Sequence, residues 1–189
     1  MIVPSEDTAG RMRRHFPGLE PLVRPHEDDA AIPEPPPPTP RDGRCVVCVV
    51  GGIGAQKGYN VLLACARDAA HRALPLDFVL VGSSIDDARL LATARVFVTG
   101  SYERREAVTL IRAQAASLGF LPSIWPETWC LALTDVWQAG LRAAVFDLGA
   151  PAERVRRTGR GFVLPSGLPA RSINNALVAA VGLSRHEGH

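Results

Sequence analysis

From residue 44 onward, short apolar runs alternate with segments of helical periodicity, and few folds accommodate this order. The predicted strands are 45–50, 78–81, 96–98, 118–125, 143–146 and 162–164. The predicted helices are 57–73, 85–94, 103–116, 128–139, 150–157 and 170–183. Because a helix between two such strands joins them in parallel through a right-handed crossover, the pattern predicts a doubly wound, Rossmann-like α/β domain. Continuous apolar strands agree with a parallel sheet that helices cover on both faces.

A proline-rich stretch separates this domain from the first thirty residues. Residues 31–43 contain six prolines, which exclude a helix or a central strand and favour an extended, semi-rigid spacer. Residues 1–30 predict a short N-terminal strand and a helix that begins after its N-cap Ser5 and ends near His15. We therefore divide the chain into residues 1–30, a linker at 31–43 and a main domain at 44–189. The His-Glu-Asp-Asp stretch at 26–29 is expected to be solvated linker rather than a metal site.

Composition excludes several classes of protein. The chain has 189 residues, 47% of them hydrophobic, which is enough for a full core. Its 21 basic and 19 acidic residues give a net charge of +2, without the basic footprint of a nucleic-acid-binding protein. No apolar run reaches the ~18 residues of a membrane span, and the N-terminus lacks the apolar core of a signal peptide. We expect a cytoplasmic protein, at most peripheral to the inner face of a membrane.

Two of the four cysteines, Cys45 and Cys48, form a C-x-x-C pair, a spacing that occurs in zinc and redox sites. Here the pair lies inside an apolar run, and side chains three residues apart on a strand point to opposite faces. The two sulfurs then cannot bind one metal ion, so we expect buried structural cysteines. The three tryptophans, Trp125, Trp129 and Trp137, are also expected in the core.

Ligands of an open parallel sheet bind outside the carboxyl ends of its strands, so the loops after strands hold the candidate site. The first loop reads GGIGAQKG at 51–58 and contains Lys57, the only lysine of the chain. Glycines such as Gly52 and Gly54 let the backbone approach a ligand closely, and the following helix N-terminus favours phosphate. The loop fits phosphate binding, and equally a tight turn with a solvated lysine. It matches neither G-x-G-x-x-G, because Lys57 replaces the third glycine, nor the P-loop.

A second candidate loop follows the fourth predicted strand and reads PSIWPETWC at 122–130. Glu127 stands at the entrance of the next helix, and Asp135 lies about 12 Å further along the helix axis. The two carboxylates could contact opposite ends of one ligand, with the helix N-terminus between them. Taken singly, Glu127 also fits charge complementarity at a helix N-terminus, and Asp135 a solvated helix face.

Together these segments resemble the retaining, family 4 (group 1) glycosyltransferases. The pair Glu127-x7-Asp135 is similar to the family's E-x7-E signature. VVGGIGAQKG resembles its glycine-rich loop, PSIWPETWCLALTDVWQAGL its proline- and glutamate-containing loop and helix, and FDLGAPAERVRRTGRGFVLP its next loop, helix and strand. The resemblance covers residues 44–184, the nucleotide-sugar-binding half of the two-domain GT-B architecture, and residues 1–30 resemble the end of the first domain.

The resemblance implies a UDP-, GDP- or ADP-sugar donor, transfer with retention and no metal or cofactor. The residues expected to bind the donor are Gly52, Gly54, Lys57, Gly100, Tyr102, Glu127, Trp129, Cys130, Leu131 and Asp135. Lys57 would bind the diphosphate, which the backbone of 129–131 would cradle, and Glu127 would contact hydroxyls of the donor sugar. These two are the expected catalytic residues. Asp135 would contact the ribose, and the loop around Tyr102 would lie by the base. Bacterial members of the family often build surface polysaccharide.

Three features depart from the family pattern. Gly52 stands where the family often has an arginine, Asp135 replaces the second glutamate, and the acceptor-binding first domain has no counterpart beyond residues 1–30. We therefore expect the chain to bind a nucleotide but to transfer sugar poorly without a separate N-terminal domain. One alternative is a non-catalytic α/β interaction module derived from a glycosyltransferase. Another is an NAD-dependent enzyme, against which the incomplete glycine pattern argues. No D-x-D metal motif is present, and Asp86 and Asp87 are expected to cap a helix.

Overall fold

The computed structural model describes residues 1–37 and 45–184, with side chains to residue 181, and contains a small and a large parallel sheet. The small sheet pairs β1 (Ile2–Val3) with β2 (Leu22–Val23). The large sheet consists of β3 (Cys45–Ile53), β4 (Leu76–Ser84), β5 (Val96–Val98), β6 (Leu118–Leu121), β7 (Ala143–Phe146) and β8 (Gly161–Leu164). Its spatial order is β5-β4-β3-β6-β7-β8, and every pairing is parallel. This order confirms the predicted doubly wound α/β fold.

Helices alternate with the strands of the large sheet, as the apolar periodicity predicted. They are α1 (Glu6–His15), α2 (Tyr59–His71), α3 (Asp87–Leu91), α4 (Ala107–Ala113), α5 (Leu131–Gln138), α6 (Gly149–Thr158) and α7 (Ala170–Ser184). Two short 3-10 turns cover Asp29–Ala31 and Arg104–Glu106. Within residues 1–37 and 45–184, no helix has both the length and the apolar character needed to cross a lipid bilayer.

The large sheet is buried on both faces. On one face α2, α3 and α7 cover Val47 and Val49 of β3, and on the other α4, α5 and α6 cover Cys48 and Val50. Cys45 and Cys48 fall in different cores, which confirms that they are buried and point to opposite faces. Burial raises the pKa of the Cys48 thiol to about 12, so this thiol stays protonated at neutral pH.

The chain leaves the sheet earlier at the second candidate loop than the sequence predicts. The strand expected at 118–125 ends at Leu121, because the proline that follows has no backbone N–H for a ladder. The next helix begins at Leu131, after an irregular loop. Trp125 lies in this loop and is 56% exposed, so its expected place in the core is wrong. Trp129 and Trp137 are buried as expected.

The first helix is capped locally and attached to the main domain. The Oγ of Ser5 accepts a hydrogen bond from the N–H of Thr8 at 3.2 Å, which confirms Ser5 as the N-cap. Glu153 of α6 accepts from the N–H groups of Glu6 and Asp7 at 3.3 and 2.8 Å. A carboxylate of the main domain therefore occupies the positive end of α1.

Residues 24–37, here called the strap, connect β2 to the main domain and lie against it. Ile32 is buried in the core on the face of the sheet that α4, α5 and α6 cover. Arg160 donates a hydrogen bond to the Ile32 carbonyl oxygen at 2.8 Å. Asp29 is also buried and forms an ion pair with Arg154 of α6. The expectation of a solvated stretch at 26–29 is therefore wrong for Asp29. Of the predicted linker, Ile32 is buried against the domain and the carbonyl oxygen of Pro36 accepts from Arg112 at 3.3 Å, whereas most of residues 31–37 are exposed. Residues 38–43 lie outside the described residues.

Gly58 marks a close approach between the two candidate loops and provides a test of the fold. It precedes α2 with a φ of +89°, and an added Cβ would lie 2.0 Å from the carbonyl oxygen of Pro122. We expect Gly58→Ala to lower the free energy of unfolding by about 2–4 kcal/mol, because left-handed strain adds to a backbone clash.

Gly159→Ala is the matched control for this substitution. Gly159 has a φ of +70° with open space around an added Cβ, so only strain of about 1 kcal/mol is expected. Urea denaturation of both variants measures the difference. Equal losses would contradict the close approach of Gly58 to Pro122.

Candidate functional site

The carboxyl ends of β3 and β6 meet where the strand order reverses. β3 pairs with β4 on one side and with β6 on the other, and the helices that follow β3 and β6 lie on opposite faces of the sheet. The two loops therefore diverge and leave a crevice, the place in which open α/β sheets bind ligands. Residues of both candidate loops, 51–58 and 122–130, line this crevice.

Lys57 and Glu127 form an ion pair across the crevice, although 70 residues separate them. The Lys57 side chain is 47% exposed and the Glu127 side chain 11%, so the carboxylate lies deeper than the ammonium group. The loops are also joined through the main chain. The N–H of Ile124 and the Oγ of Ser123 both donate to the carbonyl oxygen of Gln56, at 3.0 and 3.3 Å. One hydrogen-bonded unit thus presents a cation and a carboxylate at the crevice.

A small cleft of about 80 Å³, here called the lysine cleft, lies between the two loops. Its lining includes Gly51, Gly52, Lys57, Ser123, Glu127, Cys130 and Ala132. At Gly52, an added Cβ would meet no described atom within 4 Å, so bare backbone faces open space beside Lys57. The cleft therefore combines main-chain polar groups with one charged side chain of each sign.

A wider cleft of about 440 Å³, the aspartate cleft, continues from the lysine cleft past Gly52. Asp135 of α5 lines it with a side chain that is 10% exposed, and Nη2 of Arg104 lies 3.5 Å from its Oδ1. Burial raises the pKa of Asp135, Arg104 opposes the rise, and Glu27 adds to it. Burial and the charge of Asp135 raise the pKa of Tyr102, which lines the same cleft. A partly desolvated carboxylate in such a cleft is suited to accept hydrogen bonds from ligand hydroxyls.

The chain enters α5 through a strained turn that separates the two carboxylates. Cys130 has a φ of 71° and a ψ of 85°, and residues with a Cβ rarely adopt a positive φ. The carbonyl oxygens of Trp129 and Cys130 both accept from Nη1 of buried Arg154, at 3.0 and 2.9 Å. Because the C=O and N–H of a trans peptide point in opposite directions, the N–H groups of residues 130 and 131 face away from Arg154. Cys130 and Leu131 line the two clefts, so these N–H groups are available to an anion there.

The structure brings most of the predicted site residues to one of the two clefts. Those in the lining are Gly52, Lys57, Tyr102, Glu127, Cys130, Leu131 and Asp135. Trp129 lines neither cleft: its ring is buried with the Arg154 guanidinium 4.0 Å from the ring centroid, and its carbonyl oxygen accepts from Arg154. Among the described residues, Gly54 and Gly100 line neither cleft. Gly54 accepts from the N–H of Tyr59 at 3.1 Å and starts the turn into α2, and Gly100 follows β5 with a φ of +87°.

Two arginines of the site were missed by sequence reasoning. Arg104 pairs with Asp135, and Arg154 holds the turn before α5. Arg104 lies at the polar start of the helix predicted at 103–116, where a solvated arginine is expected, so the sequence carries no signal for its pairing with Asp135. Arg154 had a signal, because it shares the buried side of α6 with Ala152 and Val155, where an arginine needs a partner.

A larger cavity of about 730 Å³ lies elsewhere, between the strap and the end of α6. Its arginines are already paired, Arg157 with Asp29 and Arg160 with Glu34. None of the predicted site residues lines it. The crevice, where the N-terminus of α5 and the two carboxylates meet, is therefore the candidate functional site.

No group of three His, Cys, Asp or Glu side chains converges as a metal site would require, within residues 1–37 and 45–184. The adjacent Asp86 and Asp87, which follow β4, instead accept hydrogen bonds from backbone N–H groups. Oδ1 of Asp86 accepts from the N–H of Arg89 at 3.0 Å, and Oδ1 of Asp87 accepts from the N–H of Ser84 at 2.7 Å. The prediction that this pair caps a helix is confirmed for Asp86.

Known proteins share both sequence and fold with this chain. A GDP-mannose-dependent alpha-mannosyltransferase of Mycobacterium tuberculosis (strain CDC 1551 / Oshkosh) is 31% identical over 127 residues, which are 67% of this chain and 32% of that protein. Sucrose-phosphate synthase from Thermosynechococcus elongatus superposes with a TM-score of 0.71 at 18% identity, over 96% of this chain and 48% of its own. Anabaena HepE in complex with UDP-glucose also superposes with a TM-score of 0.71, at 15% identity, over 97% of this chain and 54% of its own. At these identities the two structures show the fold alone.

The chain spans about a third of the mannosyltransferase and about half of each of these two structures. A model of the family described as glycosyl transferases group 1 matches residues 33–181, which include both loops of the crevice. The match confirms the resemblance to group 1 and the transferase class, and it leaves the retaining family 4 as a prediction. The chain belongs to the group 1 glycosyl transferases.

Proposed function

We propose that this chain is the donor-binding part of a retaining, family 4 glycosyltransferase and that its crevice binds a nucleotide diphosphate-sugar. The observation that carries the proposal is the meeting of Lys57 and Glu127 beside the N-terminus of α5, at the reversal of the strand order. A cation and helix N–H groups suit a diphosphate, and a carboxylate suits sugar hydroxyls. The GDP-mannose named for the mannosyltransferase and the UDP-glucose bound by HepE support this class of donor and leave the base open.

The donor is proposed to lie along both clefts. The diphosphate would occupy the lysine cleft, between Lys57 and the N–H groups of residues 130 and 131. The sugar would contact Glu127, and the nucleoside would extend into the aspartate cleft with its ribose at Asp135. A volume of about 440 Å³ falls in the range that small-molecule sites use. Tyr102 lines this cleft at the end proposed for the base.

Binding requires the donor to replace contacts that the donor-free site makes with itself. Lys57 is paired with Glu127, and Arg104 lies beside Asp135. A diphosphate would draw Lys57 from Glu127 and release the carboxylate for the sugar hydroxyls. Asp135 is one methylene shorter than the glutamate of the family signature, so the ribose would have to lie closer to α5, where burial strengthens each hydrogen bond that Asp135 accepts.

Charge that develops in the reaction falls where the crevice is positive. Cleavage of the bond between the sugar and the diphosphate leaves the bonding electrons on the diphosphate. Lys57 and the N-terminus of α5 would stabilise that charge as it forms, which is worth more in a desolvated cleft than in water. We propose that this arrangement replaces a divalent cation, so that donor binding is independent of Mg²⁺.

The acceptor is proposed to bind to a separate N-terminal domain. The pair β1–β2 is parallel and has two residues in each strand, which is too little to be stable alone. Ile2 and Leu22 expose 62% and 64% of their surfaces on this pair. Parallel sheets are normally covered on both faces, so we propose that the acceptor-binding domain continues this sheet and covers these side chains.

A second candidate function is a non-catalytic α/β interaction module. The observation in its favour is the charge pairing of the site, in which Lys57 and Asp135 both have partners without a donor. Such a module would bind no nucleotide, so binding separates the two functions. An NAD-dependent enzyme would prefer NAD to nucleoside diphosphates in the same experiment.

Thermal unfolding of the purified chain with UDP, GDP, ADP or NAD, with and without Mg²⁺, tests donor binding. We expect one nucleoside diphosphate to raise the Tm, whether or not Mg²⁺ is present. At 100 times its Kd it would add about 2.7 kcal/mol, or about 5–10 °C. Lys57→Ala should reduce the shift, because a free nucleoside diphosphate carries the full charge of the leaving group, which the intact donor does not. Arg67→Ala, which removes an exposed charge from α2, should keep the shift. A cooperative transition that no nucleotide moves would favour the interaction module.

Kinetics of the complete enzyme, with its acceptor domain present, test the role of Lys57 in the chemical step. If Lys57 stabilises charge on the leaving diphosphate, Lys57→Ala should lower kcat by about 100-fold or more while changing donor Kd much less. Weaker donor binding with an unchanged kcat would assign Lys57 to ground-state binding only. Robust transfer by this chain alone would contradict the need for a separate acceptor domain.

Asp135→Asn should raise thermal stability and weaken nucleotide binding at the same time. Burial in the folded chain raises the pKa of Asp135, so ionised Asp135 lowers the free energy of unfolding at pH 7. This loss of stability disappears as the pH falls through the raised pKa, because the carboxyl group becomes protonated. The variant should therefore melt at a higher temperature than wild type at pH 7, by a margin that shrinks on acidification. Nucleotide affinity should fall by about 10- to 100-fold, as for lost hydrogen bonds to a charged group.

Asp147→Asn is the control, because the fold shifts the pKa of Asp147 in the opposite direction from that of Asp135. A hydrogen bond from Arg156 lowers the pKa of Asp147, which is exposed and lines neither cleft. Its ionised form is favoured by the fold, so the substitution should leave the Tm at pH 7 unchanged or slightly lower. A stabilised Asp147→Asn, or a destabilised Asp135→Asn, would contradict the assignment.

A further inference from the structure

A buried ion pair connects the strap to the turn before α5. Arg154 of α6 has no exposed surface, and Asp29 of the strap is 4% exposed. Nε and Nη2 of Arg154 donate to Oδ1 of Asp29 at 3.1 and 2.7 Å. Desolvation of two charges largely offsets their attraction, so a buried pair of this kind contributes little net stability. Its contacts indicate a more specific role.

The Arg154 guanidinium is held in a single orientation. Besides Asp29, its Nη1 donates to the carbonyl oxygens of Trp129 and Cys130, and its Nη2 to Oγ1 of Thr134 at 2.8 Å. All five N–H groups of the side chain therefore have acceptors. Its plane also lies against the Trp129 ring, with Cζ 4.0 Å from the ring centroid.

The two carbonyl bonds fix a backbone conformation that is unfavourable by itself. Cys130 has a φ of 71°, a region that costs a residue with a Cβ about 1 kcal/mol or more unless its surroundings impose it. Arg154 draws the carbonyls of residues 129 and 130 into the protein interior. The N–H groups of residues 130 and 131 must then point outward, toward the clefts.

We propose that Arg154, oriented by Asp29, is a positioning residue that aims the N–H groups of Cys130 and Leu131 at the diphosphate. The inference rests on the proposed function, since it assigns the cause of that site's geometry. Arg154 itself does not touch the ligand, because it is fully buried behind the turn. Asp29 is fixed in turn by Arg157, so the strap holds the arginine that shapes the site.

The test compares two ligands on the full chain, the nucleoside diphosphate that the thermal panel selects and its parent nucleoside. Only the diphosphate uses the N–H groups of residues 130 and 131, so the ratio of the two Kd values reports their alignment. Arg154→Lys keeps the charge, but three N–H groups on one nitrogen cannot replace the five that reach Asp29, the two carbonyls and Thr134. We expect its diphosphate Kd to rise by about 10- to 100-fold, with the nucleoside Kd unchanged.

A double variant and a control separate positioning from folding. Asp29→Leu with Arg154→Met removes both charges, and such apolar replacements often keep a protein folded. It should show the same selective loss of diphosphate affinity. Arg160→Met is the control, because Arg160 is also largely buried and bonds the strap through the Ile32 carbonyl, yet its hydrogen bonds do not reach the turn. It should leave both Kd values unchanged.

A suppressor tests the strained turn directly. Glycine adopts a positive φ without penalty, so Cys130→Gly should need less support from Arg154. Added to Arg154→Lys, it should restore most of the lost diphosphate affinity. Absence of any rescue would overturn the idea that Arg154 acts by holding this conformation.

The outcomes distinguish the inference from the proposed function. If the wild-type chain binds no nucleoside diphosphate, the proposed function fails and the positioning role falls with it. If wild type binds but the Arg154 variants bind both ligands as wild type does, only the inference fails. A parallel loss of nucleoside and diphosphate affinity would make Arg154 a structural residue and would also overturn it.

Discussion

The parallel pairing of β3 with β6 is the constraint on which the rest of the site depends. These strands are neighbours in space but are separated in sequence by two other strands, so the order of the sheet reverses between them. The reversal sends α2 and α5 to opposite faces, and the loops before these helices open a crevice. Lys57 and Glu127 meet there, although the local sequence around either residue does not predict this contact. Apart from Tyr102, which follows β5, every proposed contact to the donor starts from one of these two loops or from the helix that follows.

Paired charges are the common feature of the site and its support. Lys57 pairs with Glu127 and Arg104 with Asp135 at the surface of the crevice, while Arg154 pairs with Asp29 beneath it. The surface pairs are accessible and can exchange partners with a ligand. The Arg154–Asp29 pair is almost completely buried, so its arrangement is fixed. The site thus combines exchangeable contacts with a fixed backbone, which is the combination that a preorganised binding site requires.

Helix α6 connects the N-terminal segment with the crevice. Glu153 accepts from the first N–H groups of α1, and the adjacent Arg154 binds both Asp29 of the strap and the turn before α5. An acceptor domain that continues the β1–β2 sheet would therefore be attached to the same helix that shapes the proposed diphosphate site. The N-terminal residues are in this sense part of the support of the proposed site.

The sequence by itself determined the fold class, most element positions and the candidate loops, because apolar periodicity and glycine or proline positions act locally. It placed β5 and β7 at their observed bounds, the cap at Ser5 and the opposed Cys45 and Cys48. Tertiary structure decided which distant segments contact one another and which side chains those contacts bury. Trp125 is exposed since the strand stops at a proline, and Asp29 is buried since Arg154, 125 residues away, supplies its partner. Long-range pairing of charges leaves no local pattern, so only the folded chain shows which arginine and which carboxylate meet.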